Sequence, residues 1–192
     1  MNAKPVAKKQ SKTISEFKKL KLNGIDFCVG DVVQVKEYSD EDCFATIQRI
    51  FKDSAKLEPQ LNIRWFYKPS EAFHADHDFI SAAELIDSDL IQDINVQCVY
   101  GKIKLVTLEE YHSLDEADED VYFCRAKYIT KEDCVIPPLT EWKKACVCNA
   151  IINPDVLYIS CDNCQELFHP DCVKANIEDP SWFCENCKDK VS

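Results

Sequence analysis

Eight side chains in the last third of this 192-residue sequence carry metal-donor atoms: Cys146, Cys148, Cys161, Cys164, His169, Cys172, Cys184 and Cys187. They arrive as four close pairs, and a pair separated by one or two residues can turn back onto a single ion at ~2.0 to 2.3 Å. Eight donors satisfy two tetrahedral zinc ions with none left over. An ion held by four protein donors has no open position for water or substrate, so this zinc is structural and performs no hydrolysis. A unit of about forty-five residues buries too little apolar surface to fold on a core alone, which makes metal-binding energy its folding energy.

The other five cysteines, Cys28, Cys43, Cys98, Cys124 and Cys134, lack ligand spacing and read as inert buried thiols. The stretch FHADHD offers His74, Asp76, His77 and Asp78, but it follows Pro69 as a loop and reads as such rather than as a further metal site. His112 stands alone. No Ser-His-Asp order or acid–base pair points to catalysis, and 3 Gly leave little material for a phosphate-cradling loop. An enzyme is not expected.

Charge narrows the partners. The net charge is -11, yet residues 1–22 hold seven lysines against Glu16, about +6, so the remainder is strongly acidic. An acidic body is a poor platform for nucleic acid, whose binding rests on neutralised phosphates, and it suits a basic peptide better. The Lys-rich segment 1–22 reads as a mobile arm, with solubilisation and weak contact with DNA as its two readings. The start of the chain has no apolar run suited to a signal peptide, and no 18-residue apolar stretch follows, so a reducing intracellular compartment is expected.

The elements that must position these residues follow from hydrophobic patterning. With 46% hydrophobic residues the chain has material for a real core. From Gly30 the segments DVVQVKEY, FATIQRIFK, LNIRWFY, VQCVYGKIKLV and VYFCRAKYI alternate apolar with polar residues and predict strands of a largely antiparallel domain. ISAAELIDSDL suits a short helix or turn, and LDEADED (Leu114 to Asp120) a solvated loop. Consecutive prolines in CVIPPLTEWKK mark a stiff linker over residues 133–144. The cysteine-rich unit spans 145–188.

Ligand order separates zinc classes. A RING module places its histidine fourth, whereas four cysteines precede His169 here and three follow it; with Phe168 before the histidine and Trp182 two residues before Cys184, the unit resembles a plant homeodomain (PHD) finger. A FYVE finger would need a basic histidine-rich motif, which the sequence lacks. The resemblance implies interleaved pairing: Cys146, Cys148, His169 and Cys172 on one zinc, and Cys161, Cys164, Cys184 and Cys187 on the other. It also implies a module that adds the histone H-three tail as a strand and cages a methylated lysine by cation–π attraction. Leu167 and Ile152 stand where such fingers often carry cage aromatics and Tyr158 lies near a cage position, while Asp162 is placed to pair with a histone arginine, so the finger is expected to act as an auxiliary tail contact or a structural module.

Upstream, VGDVVQVKE, RWFYKPSE, AAELIDSD, YGKIKLV and DVYFCRAKY resemble, in order, the segments of a bromo-adjacent homology (BAH) domain over about residues 25–132. The pair is similar to the short plant BAH-PHD histone readers. The expected fold is therefore mainly β: a β-rich BAH domain followed by a small, cross-braced two-zinc finger. By resemblance, the methyl-lysine pocket falls on Cys43, Trp65 and Tyr67. Strand alternation turns Trp65 and Tyr67 to one face and Phe66 to the other, with Phe44 a third wall if the register shifts.

The expectation is a non-enzymatic nuclear reader acting in transcription regulation, with a histone tail and the nucleosome as partners and neither a membrane nor a small-molecule substrate. The alternative is an assembly subunit of a chromatin complex whose methyl-lysine pockets are degraded.

Overall fold

The computed structural model describes residues 13–36, 42–75, 77–114 and 118–188. In chain order the strands and helices are β1 (Ile14–Phe17), β2 (Lys19–Leu22), β3 (Ile25–Cys28), β4 (Val32–Lys36), β5 (Asp42–Asp53), β6 (Gln60–Tyr67) and α1 (Pro69–Phe73). There follow β7 (Ile86–Asn95), β8 (Val99–Val106), α2 (Leu108–His112), β9 (Val121–Phe123), β10 (Lys127–Ile129) and β11 (Cys134–Ile136). The cysteine-rich end contributes β12 (Lys144–Ala145), β13 (Ala150–Ile151), β14 (Ile159–Ser160), β15 (Leu167–Phe168), α3 (Pro170–Val173) and α4 (Glu185–Lys188). The chain forms two compact units. One comprises the described residues up to Phe66 with Ser88–Lys104, the other Tyr67–Asp87 with the described residues from Leu105 onward.

In the first unit β6, β5, β4 and β8 are successive antiparallel neighbours. Alternation sends one face of these strands inward: Val33 and Val35 from β4, Ala45 and Ile47 from β5, and Leu61, Ile63 and Trp65 from β6 form the core with Phe27, Ile50, Ile94, Val96 and Val99. Each fully buried aliphatic side chain there stabilises the fold by roughly 1.5–3 kcal/mol. Plain alternation would turn Ile50 away from Ile47. A bulge at Gln48 restores it, since Ile47 faces Ile63, Arg49 faces Asn62 and Ile50 faces Leu61.

The expected arm over 1–22 is corrected from residue 14 onward; residues 1–12 lie outside the described residues. Here β1 pairs with the end of β5, Ile14 opposite Asp53, and β2 forms a hairpin with β3. The turn is Asn23–Gly24, both at positive φ (50° and 87°), the pair that a two-residue hairpin loop with this backbone demands. Lysine content concealed it: Leu20 and Leu22 pack on the core while Lys19 and Lys21 face out. Gly24→Ala is expected to lower stability by about 1 kcal/mol in chemical denaturation, because an L side chain resists that φ.

In the second unit α1 and α2, like α3 and α4 of the finger, stand where the sequence reading placed no helix. In α1, Pro69 opens the helix and Glu71 Oε2 accepts from Lys68 N at 2.7 Å; in α2, Thr107 Oγ1 accepts from Glu110 N at 3.2 Å while Glu110 Oε2 accepts from Thr107 N at 2.8 Å. Of the helix or turn expected in ISAAELIDSDL, the structure forms the turn, which leads into β7 at Ile86. VYFCRAKYI is two strands, interrupted at Cys124–Ala126 where Arg125 turns inward. Asp118 to Asp120 lie in a loop and turn, as LDEADED suggested, with 115–117 outside the described residues.

The linker expected over 133–144 is also corrected. Cys134–Ile136 pair with β10, and Trp142, 5% exposed, donates Nε1 to Pro137 O at 2.9 Å and meets Phe73 and Phe79 edge-on at 5.7 Å. The tryptophan makes this segment part of the core, with Ala72, Ile86, Ala126 and Tyr128, and Ile151 packs against the same cluster. The finger has its own small core of Cys161, Phe168, Cys184 and Cys187, with the Trp182 ring 5.1 Å from Phe168.

Candidate functional site

The finger gathers its donors into two groups, Cys146, Cys148, His169 and Cys172, and Cys161, Cys164, Cys184 and Cys187, each with ligand atoms within 4.8 Å of one another. A zinc tetrahedron with the bond lengths above sets donor atoms ~3.6 to 3.8 Å apart. His169 Nδ1 lies 3.3 Å from Cys148 Sγ and 3.8 Å from Cys172 Sγ, and Cys164 Sγ lies 3.9 Å from Cys184 Sγ. Both donor sets fit zinc, which would supply folding energy and cross-bracing there.

Tight turns make these groups. Asn149 N donates to Cys146 O at 3.1 Å and Gln165 N to Cys161 O at 2.8 Å. Their left-handed positions are filled by Cys146, Asn149, Gln165 and Lys174 rather than glycine, a strain that metal ligation can hold.

Crowded sulfurs divide their protons unequally. Burial would raise the thiols of Cys146 and Cys161, but hydrogen bonds from neighbouring backbone groups and side chains hold both down to about 6. Cys172 is pushed up to about 11 by its hydrogen bond to Cys146, together with burial. For Cys164 a backbone bond from Glu166 pulls downward, but burial and the neighbouring thiols outweigh it and drive the group to about 12. A dication relieves that repulsion, so metal uptake releases protons.

Two tail-reading candidates on the finger have structural partners. The Tyr158 ring lies 4.8 Å from that of His169, and its hydroxyl accepts from Asn153 N at 3.2 Å. Asp162 Oδ2 accepts from Trp182 N at 2.8 Å, and Asp162 N donates to Trp182 O at 3.0 Å, lacing the second ligand pair to the fourth. Ile152 is 3% exposed and Leu167 half-buried.

In the β domain, Trp65 is 7% exposed within the first unit's core, its Nε1 donating to Gln92 Oε1 at 3.0 Å. Ser88 Oγ donates to Trp65 O at 2.7 Å, fixing the strand behind the ring. Cys43 is half-buried against that core, and Phe44, 5% exposed, projects from the other face of β5. Phe66, expected in the core, is 8% exposed.

Tyr67 is half-buried in the second unit, edge-on to Tyr128 at 5.0 Å. Beside it stand groups that the sequence reading did not single out for this site: Tyr128 OH donates to Asp133 Oδ1 at 2.6 Å, and His74 Nε2 lies 2.8 Å from the same oxygen. These bonds lower the Asp133 pKa, and the Tyr128 hydroxyl is pushed up to about 12, chiefly by its bond to Asp133. An anionic carboxylate next to two tyrosines is complementary to an alkylammonium.

The FHADHD histidines have separate partners. His77 stacks on Phe79 at 4.9 Å, Asp76 lies outside the described residues, and no third donor group is gathered among the described residues. Cys28, Cys43, Cys98, Cys124 and Cys134 are all half-buried, and burial raises the Cys124 thiol.

The residue that sequence reasoning missed most completely is Arg125. Its guanidinium grips Glu84 with two bonds, Nε to Oε1 at 2.7 Å and Nη2 to Oε2 at 2.8 Å, and lies 4.1 Å from the Trp142 ring centre. Nη1 donates to Ile152 O in the finger at 2.6 Å, and Nη2 to Phe79 O at 3.0 Å. The Glu84 side chain is wholly buried and that of Arg125 is 10% exposed. Burial raises the Glu84 pKa, and the arginine opposes that rise.

Comparison with known proteins places these features in families. The BAH domain model matches residues 25–134 and the PHD-finger model residues 146–187. The Arabidopsis thaliana chromatin remodeling protein SHL is 28% identical over 187 residues, spanning 93% of this chain and 81% of its own length. Chromatin remodeling protein EBS, from the same plant, is 28% identical over 147 residues, spanning 74% of this chain and 62% of its own. Among solved structures, the yeast Rsc2 BAH domain superposes with a TM-score of 0.53 at 18% identity, covering 66% of this chain and 56% of that one, a likeness of fold alone.

Proposed function

Because the chain belongs to the BAH domain family and carries a PHD finger behind that domain, we propose that it is a non-enzymatic nuclear reader of chromatin that engages a histone H-three tail. The observation that carries this reading is the alignment with chromatin remodeling protein SHL across 93% of the chain, both modules included. The net charge of -11 favours a basic tail over DNA. A methylated lysine is the residue for the aromatic site, with Tyr67 as its principal wall and Tyr128 and Asp133 adding ring and charge beside it; Trp65, two residues earlier in sequence, is the other ring that the family resemblance implies. Weak DNA contact falls to the Lys-rich start of the chain.

Calorimetric titration of unmodified and trimethylated tail peptides tests the site. Wild type is expected to favour a trimethylated peptide, and Tyr67→Ala to weaken that binding about tenfold while leaving unmodified tail unchanged, since one ring of a desolvated cage contributes ~1–2 kcal/mol. The Trp65→Ala, Tyr67→Ala double variant removes both rings, with its melting curve recorded alongside. Equal affinity of wild type and both variants for every peptide would remove the cage from this reading.

A second reading, an assembly subunit of a chromatin complex with degraded cages, is favoured by the burial of Trp65 at 7% exposure. Stable co-purification with a complex, together with no binding of any tail peptide, would select it.

A further inference from the structure

The loop between β13 and β14, residues 152–158, touches the β domain through Ile152 O, Asn153 Nδ2 and the Asp155 carboxylate. Besides the bond from Arg125 to Ile152 O, Asn153 Nδ2 donates to Asp78 O at 2.7 Å. Asp155 accepts from Ser81 Oγ at 2.9 Å and from Ala82 N at 3.3 Å. The loop is also stiffened from within. Asp155 N donates to Asn153 Oδ1 at 3.0 Å, and Asn153 N to the Tyr158 hydroxyl, whose ring lies against the ligand His169.

We infer that this loop is a plug seated in a socket formed by Asp78–Leu85 and Arg125, so that the order of that β-domain segment depends on the metal-loaded finger. The connection is continuous. Ligation fixes His169, the His169 ring supports Tyr158, Tyr158 holds Asn153, and Asn153 with Asp155 satisfies the backbone and hydroxyl groups of Asp78, Ser81 and Ala82. The socket is mostly turns: its far end is anchored by Leu85 N to Phe123 O at 2.9 Å and Phe123 N to Ala83 O at 3.0 Å, but Ser81, buried at 1% exposure, has its hydroxyl satisfied by Asp155 of the finger. Buried polar groups that lose such partners favour local opening. Apolar contact runs the same way, since Ile151 packs on the cluster of Ala72, Ile86 and Trp142. The inference concerns coupling within the chain and stands independently of tail binding.

Hydrogen exchange read by mass spectrometry on the full zinc-loaded chain, with and without EDTA, tests it. Chelation is expected to speed exchange across Cys146–Cys187 and, by roughly tenfold, across Asp78–Leu85. Asp155→Ala, with zinc retained at two ions per chain, is expected to speed exchange in Asp78–Leu85 several-fold while the ligand-bearing turns stay protected. If Asp155→Ala loses zinc, Ser81→Ala makes the same cut from the socket side and is read identically. Unchanged exchange in Asp78–Leu85 on chelation, or an equal rise in every segment of the chain, overturns the coupling.

Discussion

Arg125→Met is expected to destabilise the zinc-loaded chain by about 3–5 kcal/mol in chemical denaturation, because it strands a buried carboxylate. Methionine fills much of the same volume, so the loss is chiefly electrostatic. Glu84 would keep its wholly buried position without its two guanidinium bonds, and the carbonyls of Phe79 and Ile152 would lose their donors. Burial already raises the Glu84 pKa above 4.5 in the intact pair, and the arginine is what opposes the rise. A raised carboxyl costs stability as pH climbs from its unfolded value through its folded one. The variant's deficit should therefore widen above the ordinary glutamate range and narrow as pH falls toward it. Adding Glu84→Gln to Arg125→Met should recover at least ~1 kcal/mol at neutral pH, since the amide has no charge to strand. No recovery, with a pH-independent deficit, would assign the loss to packing.

The sequence discloses what is local and conceals what is not. Ligand pairs one or two residues apart must turn onto a shared ion, so the donors of both clusters could be read directly, whereas their interleaving came from resemblance to a family. The main strands were legible because Val33 and Val35, or Ile63 and Trp65, alternate with polar neighbours. Signals for the β2–β3 hairpin and for α2 were present, in Asn23–Gly24 and in Thr107 followed by Glu110, but lysine content obscured the first. Arg125 had no local signal at all. Nothing in CRAKY names its partners, and its place is decided by Glu84, 41 residues earlier, and Ile152, 27 later. The linker failed for the same reason: two prolines describe a spacer, while Trp142 finds its partners in α1 and beyond. For the aromatic site, alternation could orient Trp65 and Tyr67 but could not foresee that Gln92 and Ser88 bind the first, or that Tyr128 and Asp133 stand beside the second.

Cys161→Ser is expected to abolish the fold of the finger while Cys134→Ser leaves it intact, a contrast that separates ligand from bystander thiol. Cys161 is fully buried, its sulfur accepts from Cys184 N at 3.3 Å, and it belongs to the donor group of Cys161, Cys164, Cys184 and Cys187. A serine hydroxyl at that position neither ionises near neutral pH nor supplies a soft donor. Structural zinc in small domains contributes roughly 10–16 kcal/mol, far beyond what the finger's core of Phe168 and three cysteines, with Cys146, Ile159, Val173, Trp182 and Phe183 only partly buried against it, can replace. Elemental analysis should find fewer than two zinc ions per chain, and the near-ultraviolet circular dichroism of Trp182 should collapse, because Asp162, next to the lost ligand, is what holds the Trp182 backbone. Cys134 is half-buried, belongs to neither donor group, and has a thiol that burial raises, so its replacement should leave two zinc ions and an unchanged melting temperature. Two zinc ions and wild-type melting in Cys161→Ser would mean that the finger folds on its apolar contacts, and the four-donor reading of that cluster would fall.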